Sequence, residues 1–278
     1  MRILVEVGTQ NNMEAVIGQV ADLAANTWSN VIFLGLCPSS EGLHETAQIL
    51  DGCRSLFLSG IKDNVSLYAG NSLSYQLIRQ ENNTWEQQYE GKGRKELRFR
   101  IRCGNPGKAV VAEARELSAD IIIKSSGEKK SVAYESLKKV VNQAPCSVLI
   151  IREEKKPKMI VCCLDQDTVT QPSIEMINQL VSVYGAELEI VGVTKVNGLS
   201  SEVDRRMANI LSYYTDRGIR AWVRLVDAAS LKTFVSQTPK EHLLAIWMGR
   251  ESFLDKIFSR QSIAGFAADA ESSVLILR

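Results

Sequence analysis

Ala119-Asp120-Ile121-Ile122-Ile123-Lys124-Ser125-Ser126-Gly127 is followed, after a helical interval, by Ala144-Pro145-Cys146-Ser147-Val148-Leu149-Ile150-Ile151. Leu244-Ala245-Ile246-Trp247-Met248-Gly249-Arg250-Glu251-Ser252 is followed in the same way by Ser272-Ser273-Val274-Leu275-Ile276-Leu277. Each passage reads as a buried strand, a loop of small residues, a helix and a second buried strand that closes its half. Each half also opens on a short apolar strand, Ile3-Leu4-Val5-Glu6-Val7 and Met159-Ile160-Val161-Cys162-Cys163-Leu164-Asp165. A repeat of this length is a domain duplication, because solenoid units are much shorter.

Working outward, the first half predicts a strand at 2–7, an amphipathic helix from Met13 to Ala25, and a second strand from Val31 to Leu36. Residues 43–58 fit a helix and 73–90 a polar helix, on which Trp85 and Tyr89 would share a face. Leu97, Phe99 and Ile101 alternate with Arg98, Arg100 and Arg102, the pattern of a half-exposed strand. A turn at Gly104-Asn105-Pro106-Gly107, a helix at 108–117, a strand at 120–124, a helix near 131–143 and a strand at 147–151 complete the half. The second half predicts strands at 159–165, 187–193, 219–226, 243–248 and 273–277, with helices at 172–184, 200–217, 229–238 and 259–270. Apolar strands without polar alternation, separated by helices, imply a parallel sheet covered on both faces. With right-handed crossovers, the expected fold is two tandem, doubly wound, five-stranded parallel α/β sandwiches, over residues 1–153 and 157–278. The interleaved charges of Arg152-Glu153-Glu154-Lys155-Lys156-Pro157-Lys158 read as the linker.

A chain of 278 residues with 45% apolar and 23% charged residues has the makings of two globular cores. Its formal net charge of +1 gives no bulk field for nucleic acid or an anionic membrane. The absence of a long apolar stretch near the start or elsewhere leads to the expectation of a cytoplasmic protein without membrane insertion. The cysteines Cys37, Cys53, Cys103, Cys146, Cys162 and Cys163 form no C-x-x-C pair and are read as reduced, packing residues. With only His44 and His242 available, no zinc site is expected.

In an open parallel sheet, ligands bind beyond the carboxyl ends of the strands where the strand order reverses. Asp165 directly follows the first strand of the second half, where a carboxylate orients a loop or accepts a base or sugar hydrogen bond. Gly249 ends the fourth strand, where a missing side chain lets backbone N–H groups approach a phosphate. Ser259 and Ser262 fall at the start of the last helix, whose free N–H groups favour anions. The plain alternatives are a turn aspartate and an N-capping serine.

The order of elements, the first strand ending in Asp, the Ala-Asp-Ile-Ile-Ile strand before a Gly/Ser loop, and the closing Ala-Pro-Cys-Ser-Val-Leu-Ile-Ile together resemble the universal stress protein family in a tandem form. The turn Gly104-Asn105-Pro106 matches that family's turn before its third helix. The resemblance implies a binding and regulatory module of the stress response, paired as an intrachain pseudo-dimer through the apolar last strands 147–151 and 273–277, with a homodimer also expected. Members that bind ATP carry an Asp after the first strand and a loop of the form G-x2-G-x9-G-[S/T]. By that resemblance the second half offers Asp165, Val193 beside an adenine, Gly249, Ser252 at the second loop glycine, and Ser262 near the third. ATP or another adenine nucleotide is thus the implied ligand of the second half alone. In the first half Gly8 replaces the Asp, and Glu128 and Glu135 would bring negative charge toward a triphosphate. Two like charges ~4 Å apart in a surface-like dielectric cost about 4 kcal/mol. The alternatives are a nucleotide-hydrolysing or adenylate-transferring enzyme of the same fold, for which no glycine-rich loop or lysine signature is found, and a soluble regulatory partner of a membrane transporter.

Overall fold

The computed structural model describes residues 1–8, 12–61, 64–68, 74–91, 93–126, 131–152, 155–163, 170–194, 201–248 and 260–278, side chains at 201–203, 206 and 260–262 excepted. The chain divides into two compact units, Met1–Glu154 and Lys155–Arg278. No helix among the described residues is long and apolar enough to cross a membrane.

The first unit runs β1 (Arg2–Val7), α1 (Met13–Asn26), β2 (Asn30–Cys37), a short 3-10 turn (Ser40–Gly42), α2 (Leu43–Gly60) and α3 (Val65–Tyr68). It continues with β3 (Tyr75–Arg79), β4 (Thr84–Tyr89), β5 (Leu97–Cys103), α4 (Pro106–Glu116), β6 (Ile121–Ser125), α5 (Val132–Gln143) and β7 (Ser147–Ile151). Its strands lie in the order β7-β6-β1-β2-β5-β4-β3, the first five parallel to one another. The second unit runs β8 (Met159–Cys163), α6 (Gln171–Tyr184), β9 (Glu187–Thr194), α7 (Ser201–Thr215), β10 (Ala221–Asp227), α8 (Leu231–Ser236), β11 (His242–Trp247), α9 (Arg260–Asp269) and β12 (Ser273–Leu277). Its order, β12-β11-β8-β9-β10, all parallel, reproduces the parallel part of the first unit. In both units the order reverses beside the opening strand, between β1 and β6 and between β8 and β11.

The predicted helix at 73–90 is instead the hairpin β3–β4, which pairs antiparallel with β5 and widens the first unit's sheet beyond five strands. Asn82 and Asn83 reverse the chain at φ of 54° and 55°, a region asparagine tolerates better than most side chains. The Gln- and Glu-rich flanks suggested a helix, but Tyr89 lands on Phe99 with ring centroids 5.7 Å apart, and that packing decides the matter.

Strand β5 shows how its two faces are used. Phe99 stacks on Phe33 at 5.3 Å, and Phe33 meets Phe57 of α2 at 5.5 Å, so the apolar face lies under α2. The opposite face was expected to be half exposed, yet Arg100 is buried beneath α4. Helix α4 begins where the sequence placed its turn, with Pro106 in the first turn and the Asn105 side chain accepting from the Lys108 N–H at 3.2 Å.

Two of the six cysteines, expected to be reduced, are joined. Cys37 and Cys103 end β2 and β5 as direct partners, and they form a disulfide with a Cα–Cα distance of 4.7 Å. The residues lie 66 apart in sequence, so spacing alone gave no hint of the bond. Cys53, Cys146, Cys162 and Cys163 are free and buried, as their apolar settings suggested.

The strand pairing also aligns the units residue by residue. Ile3 pairs with Ile121 as Ile160 pairs with Leu243, and Gly35 and Gly192 are both the sixth residue of their strands, β2 and β9. A Cβ at Gly35 would clash with the Thr46 methyl of α2, and one at Gly192 would come within 2.5 Å of Met207 Cε of α7. Each glycine therefore lets the following helix lie close on its sheet. Gly35→Val is expected to lower unfolding free energy by about 1–3 kcal/mol through overpacking. Gly18→Ala, on an open face of α1 with nothing within 4 Å of the new Cβ, is expected to be neutral or to stabilise by about 0.4–1 kcal/mol. Urea denaturation followed by circular dichroism distinguishes the two.

Candidate functional site

The crevice of the first unit lies at the carboxyl ends of β1 and β6, where the strand order turns. Glu6 comes late in β1 and Lys124 late in β6, and Lys124 Nζ lies 2.8 Å from Glu6 Oε2. Their side chains are only 9% and 1% exposed, so the pair is desolvated. The contact is a charge pair off hydrogen-bond alignment, and neither of these two atoms has another hydrogen-bond partner among the described residues. Register places Glu6 beside Leu34 and Leu34 beside Arg100, so the pair belongs to the face covered by α4 and α5. Near it, Asn12 Nδ2 donates to Ile151 O at 3.3 Å, tying the start of α1 to the end of β7. Ser131 caps α5 by accepting from the Tyr134 N–H at 3.1 Å.

Counting along the aligned strands, Glu6 corresponds to Cys163 and Lys124 to Ile246, while Gly8 corresponds to Asp165 and Gly127 to Gly249. The second unit thus has apolar residues where the first has its ion pair, and a carboxylate in sequence where the first has glycine. Isolated charges inside two apolar runs, Glu6 after Ile3-Leu4-Val5 and Lys124 after Ile121-Ile122-Ile123, were the signal that would have revealed the pair.

A second polar system lies on β5. Arg98 holds Glu86 with two hydrogen bonds of 2.8 and 2.6 Å, a bidentate grip across to β4. Arg100 Nε faces Glu113 Oε1 at 2.9 Å, and Arg102 Nη1 donates to Glu113 Oε2 at 2.7 Å. Both arginines also reach Glu116, at 2.9 and 3.2 Å. Burial pushes the Glu113 carboxyl up from its usual range against the pull of Arg100 and Arg102. For Glu116, burial pushes the same way, but the hydrogen bonds and charges of Arg100 and Arg102 outweigh it and hold the carboxyl low. With each guanidinium matched to a carboxylate, this ladder fastens α4 and β4 to β5 and offers no free cation to a phosphate.

In the second unit, Val193 is half-buried near the end of β9, paired with Val226 of β10. Thr194 Oγ1 donates to Val226 O at 3.4 Å beyond it. Ser262 lies in the first turn of α9, as the sequence placed it. Asp165, Gly249 and Ser252, together with Ser259, lie outside the described residues. In the strands that lead to them, Cys163 pairs with Ile246 across β8 and β11, and Trp247 and Met248 are buried just before Gly249. Trp247 is a core residue of its strand. Burial pushes the Cys163 thiol up to about 12 and Cys162 well above its ordinary value, which disfavours the thiolate at both. No group of three or more His, Cys, Asp or Glu among the described residues is arranged to hold a metal ion.

The model of the universal stress protein family matches residues 1–152. No curated protein matches the chain in sequence. Among solved structures, the chain is similar to a putative universal stress protein from Pseudomonas aeruginosa UCBPP-PA14, with 14% identity, 99% of this chain and 92% of that chain covered, and a TM-score of 0.62. A universal stress protein from Archaeoglobus fulgidus DSM 4304 is similar at 12% identity, with 100% and 96% covered and a TM-score of 0.59. The cytoplasmic domain of a prokaryotic cation chloride cotransporter is similar at 14% identity, with 99% and 94% covered and a TM-score of 0.50. At these identities the likeness is one of fold.

Removing one partner of a buried ion pair leaves the other charge uncompensated, at a cost of about 3–5 kcal/mol, whereas an apolar replacement of both is often neutral. Glu6→Val and Lys124→Ile are each expected to destabilise by that amount. The double variant, which gives the first unit the apolar character of Cys163 and Ile246, is expected to recover most of the loss in a denaturant double-mutant cycle. Additive losses would show that the two side chains act independently.

Proposed function

The chain belongs to the universal stress protein family, and from that premise we propose that it is a tandem binding and regulatory module whose second repeat alone offers an adenine nucleotide site. In this reading Asp165 contacts the adenine-ribose end, Val193 packs against the base, and Gly249, Ser252 and Ser262 surround the phosphates. The observation that supports it is the difference between the repeats at one aligned place. Glu6 and Lys124 form a buried ion pair near the ends of β1 and β6, Gly8 stands where the second repeat has Asp165, and apolar Cys163 and Ile246 take the places of the ion pair in the second repeat.

Binding through this site is expected to be weak, because Ser252 replaces a loop glycine and its Cβ obstructs close backbone approach. The proposed setting is the cytoplasm and the stress response. The proposed assembly is an intrachain pseudo-dimer able to dimerise again, argued from the apolar sequences of β7 and β12. A nucleotide-hydrolysing or adenylate-transferring enzyme of the same fold would need a phosphate loop and a metal-binding carboxylate together. A role beside a membrane transporter has the fold shared with the cotransporter domain as its only support.

Anion-exchange chromatography of the supernatant from denatured protein is expected to reveal adenine nucleotide at no more than one per chain. Calorimetric titration with ATP should give a single site, and Asp165→Ala or Gly249→Val should abolish it. Unchanged binding in both variants would place the pocket elsewhere. Magnesium-dependent turnover above background, lost in Asp165→Ala, would favour the enzyme.

A further inference from the structure

We propose that the Cys37–Cys103 disulfide is a thiol-exchange site, at which Cys103 takes up a small thiol carrying a carboxylate as a reversible mixed disulfide. The two sulfurs are not equivalent. Cys37 is 2% exposed, whereas Cys103 is partly exposed and opens onto a cleft of about 320 Å3. That cleft is lined by Ser39 and Ser40 beyond β2, by Arg79, Asn83 and Trp85 of the hairpin, and by Cys103 with its neighbour Gly104. Its volume falls in the range of small-molecule pockets.

The lining includes one cation and no carboxylate. The Arg79 guanidinium lies over the Trp85 ring at 5.8 Å, is exposed, and forms no ion pair with another described residue. It contrasts with Arg98, Arg100 and Arg102 of β5, whose charges are all met by carboxylates. An anionic thiol entering the cleft therefore finds an attractive charge beside the accessible sulfur. The site is particular to the first repeat, since Thr194 and Asp227 hold the aligned positions in the second.

The chemistry balances without an outside oxidant. The incoming thiolate forms a bond to Cys103 Sγ, the Cys103–Cys37 bond breaks, and the electron pair leaves on Cys37 Sγ, which takes a proton from water. One disulfide is consumed and one is formed. The Cys37 thiolate reverses the step by attacking Cys103 Sγ and expelling the small thiol. Releasing the bond frees the carboxyl ends of β2 and β5 from their covalent tie, beside the hairpin β3–β4.

The free cysteines make the test clean, because all four are buried, with the Cys53 thiol pushed up to about 11 and Cys163 to about 12 by burial. Alkylation in denaturant should modify four cysteines without reductant and six after reduction. Six without reductant would overturn the proposal. Native oxidised protein is then treated with glutathione or, separately, with cysteamine, which has no carboxylate, quenched with acid and mapped by peptide mass spectrometry. The expected adduct lies on Cys103. In Arg79→Gln its rate of formation should fall about two- to fivefold for glutathione, the effect of one exposed charge pair, and should not fall for cysteamine. Should exchange run through to the dithiol too fast to trap, Cys37→Ser, which lacks the resolving thiol, should accumulate the Cys103 adduct from glutathione disulfide. An adduct on Cys37 or on a buried cysteine, no adduct in either protein, or equal slowing of both thiols by Arg79→Gln would overturn it.

Discussion

Glu6 and Lys124, 2.8 Å apart between the neighbouring strands β1 and β6 of the first repeat, set the constraint from which the rest follows. In a parallel sheet every strand ends on the same side, so chemistry must gather at the carboxyl ends, and the turn in strand order selects two strands there. What those two strands carry decides what a repeat can hold. A buried charge needs a partner, and once β6 carries Lys124, β1 must carry Glu6. The first repeat then holds an ion pair of its own at that place. With Cys163 and Ile246 the second repeat is under no such obligation.

Two repeats of one architecture have thereby diverged in opposite ways. The first has gained polar structure: the ion pair, the arginine ladder on β5, the hairpin that Glu86 anchors, and a disulfide across β2 and β5. The second carries apolar Cys163 and Ile246 at the corresponding strand ends and places its charges on β9 and β10 instead, where Arg224 meets Glu189 at 2.6 Å.

The sandwich fold was legible because parallel strands buried on both faces must be apolar throughout, and Ile121-Ile122-Ile123 or Ser273-Val274-Leu275-Ile276-Leu277 fits little else. Helix positions followed from turns such as Gly104-Asn105-Pro106, where capping chemistry is local. The misreadings share a cause, which is that the deciding partner lies far along the chain. The hairpin at 75–89 is held by Phe99 and Glu86–Arg98, so local polarity suggested a helix. Arg100 and Arg102 looked solvent-facing because Glu113 and Glu116, their partners, belong to the next helix. Cys37 and Cys103 become neighbours only once β2 and β5 pair. Of the candidate site, Val193 came from the family resemblance and lies near the end of β9, while Glu6 and Lys124 were passed over as ordinary strand residues.

Amide chemical-shift mapping of the labelled full-length protein during titration with ATP tests the central claim most directly. The account expects shifts to gather at Asp165, Val193 and Gly249 and to leave Gly8 and Ser125 unmoved at saturation. Saturable shifts at Gly8 and Ser125, with the second repeat silent, would contradict it.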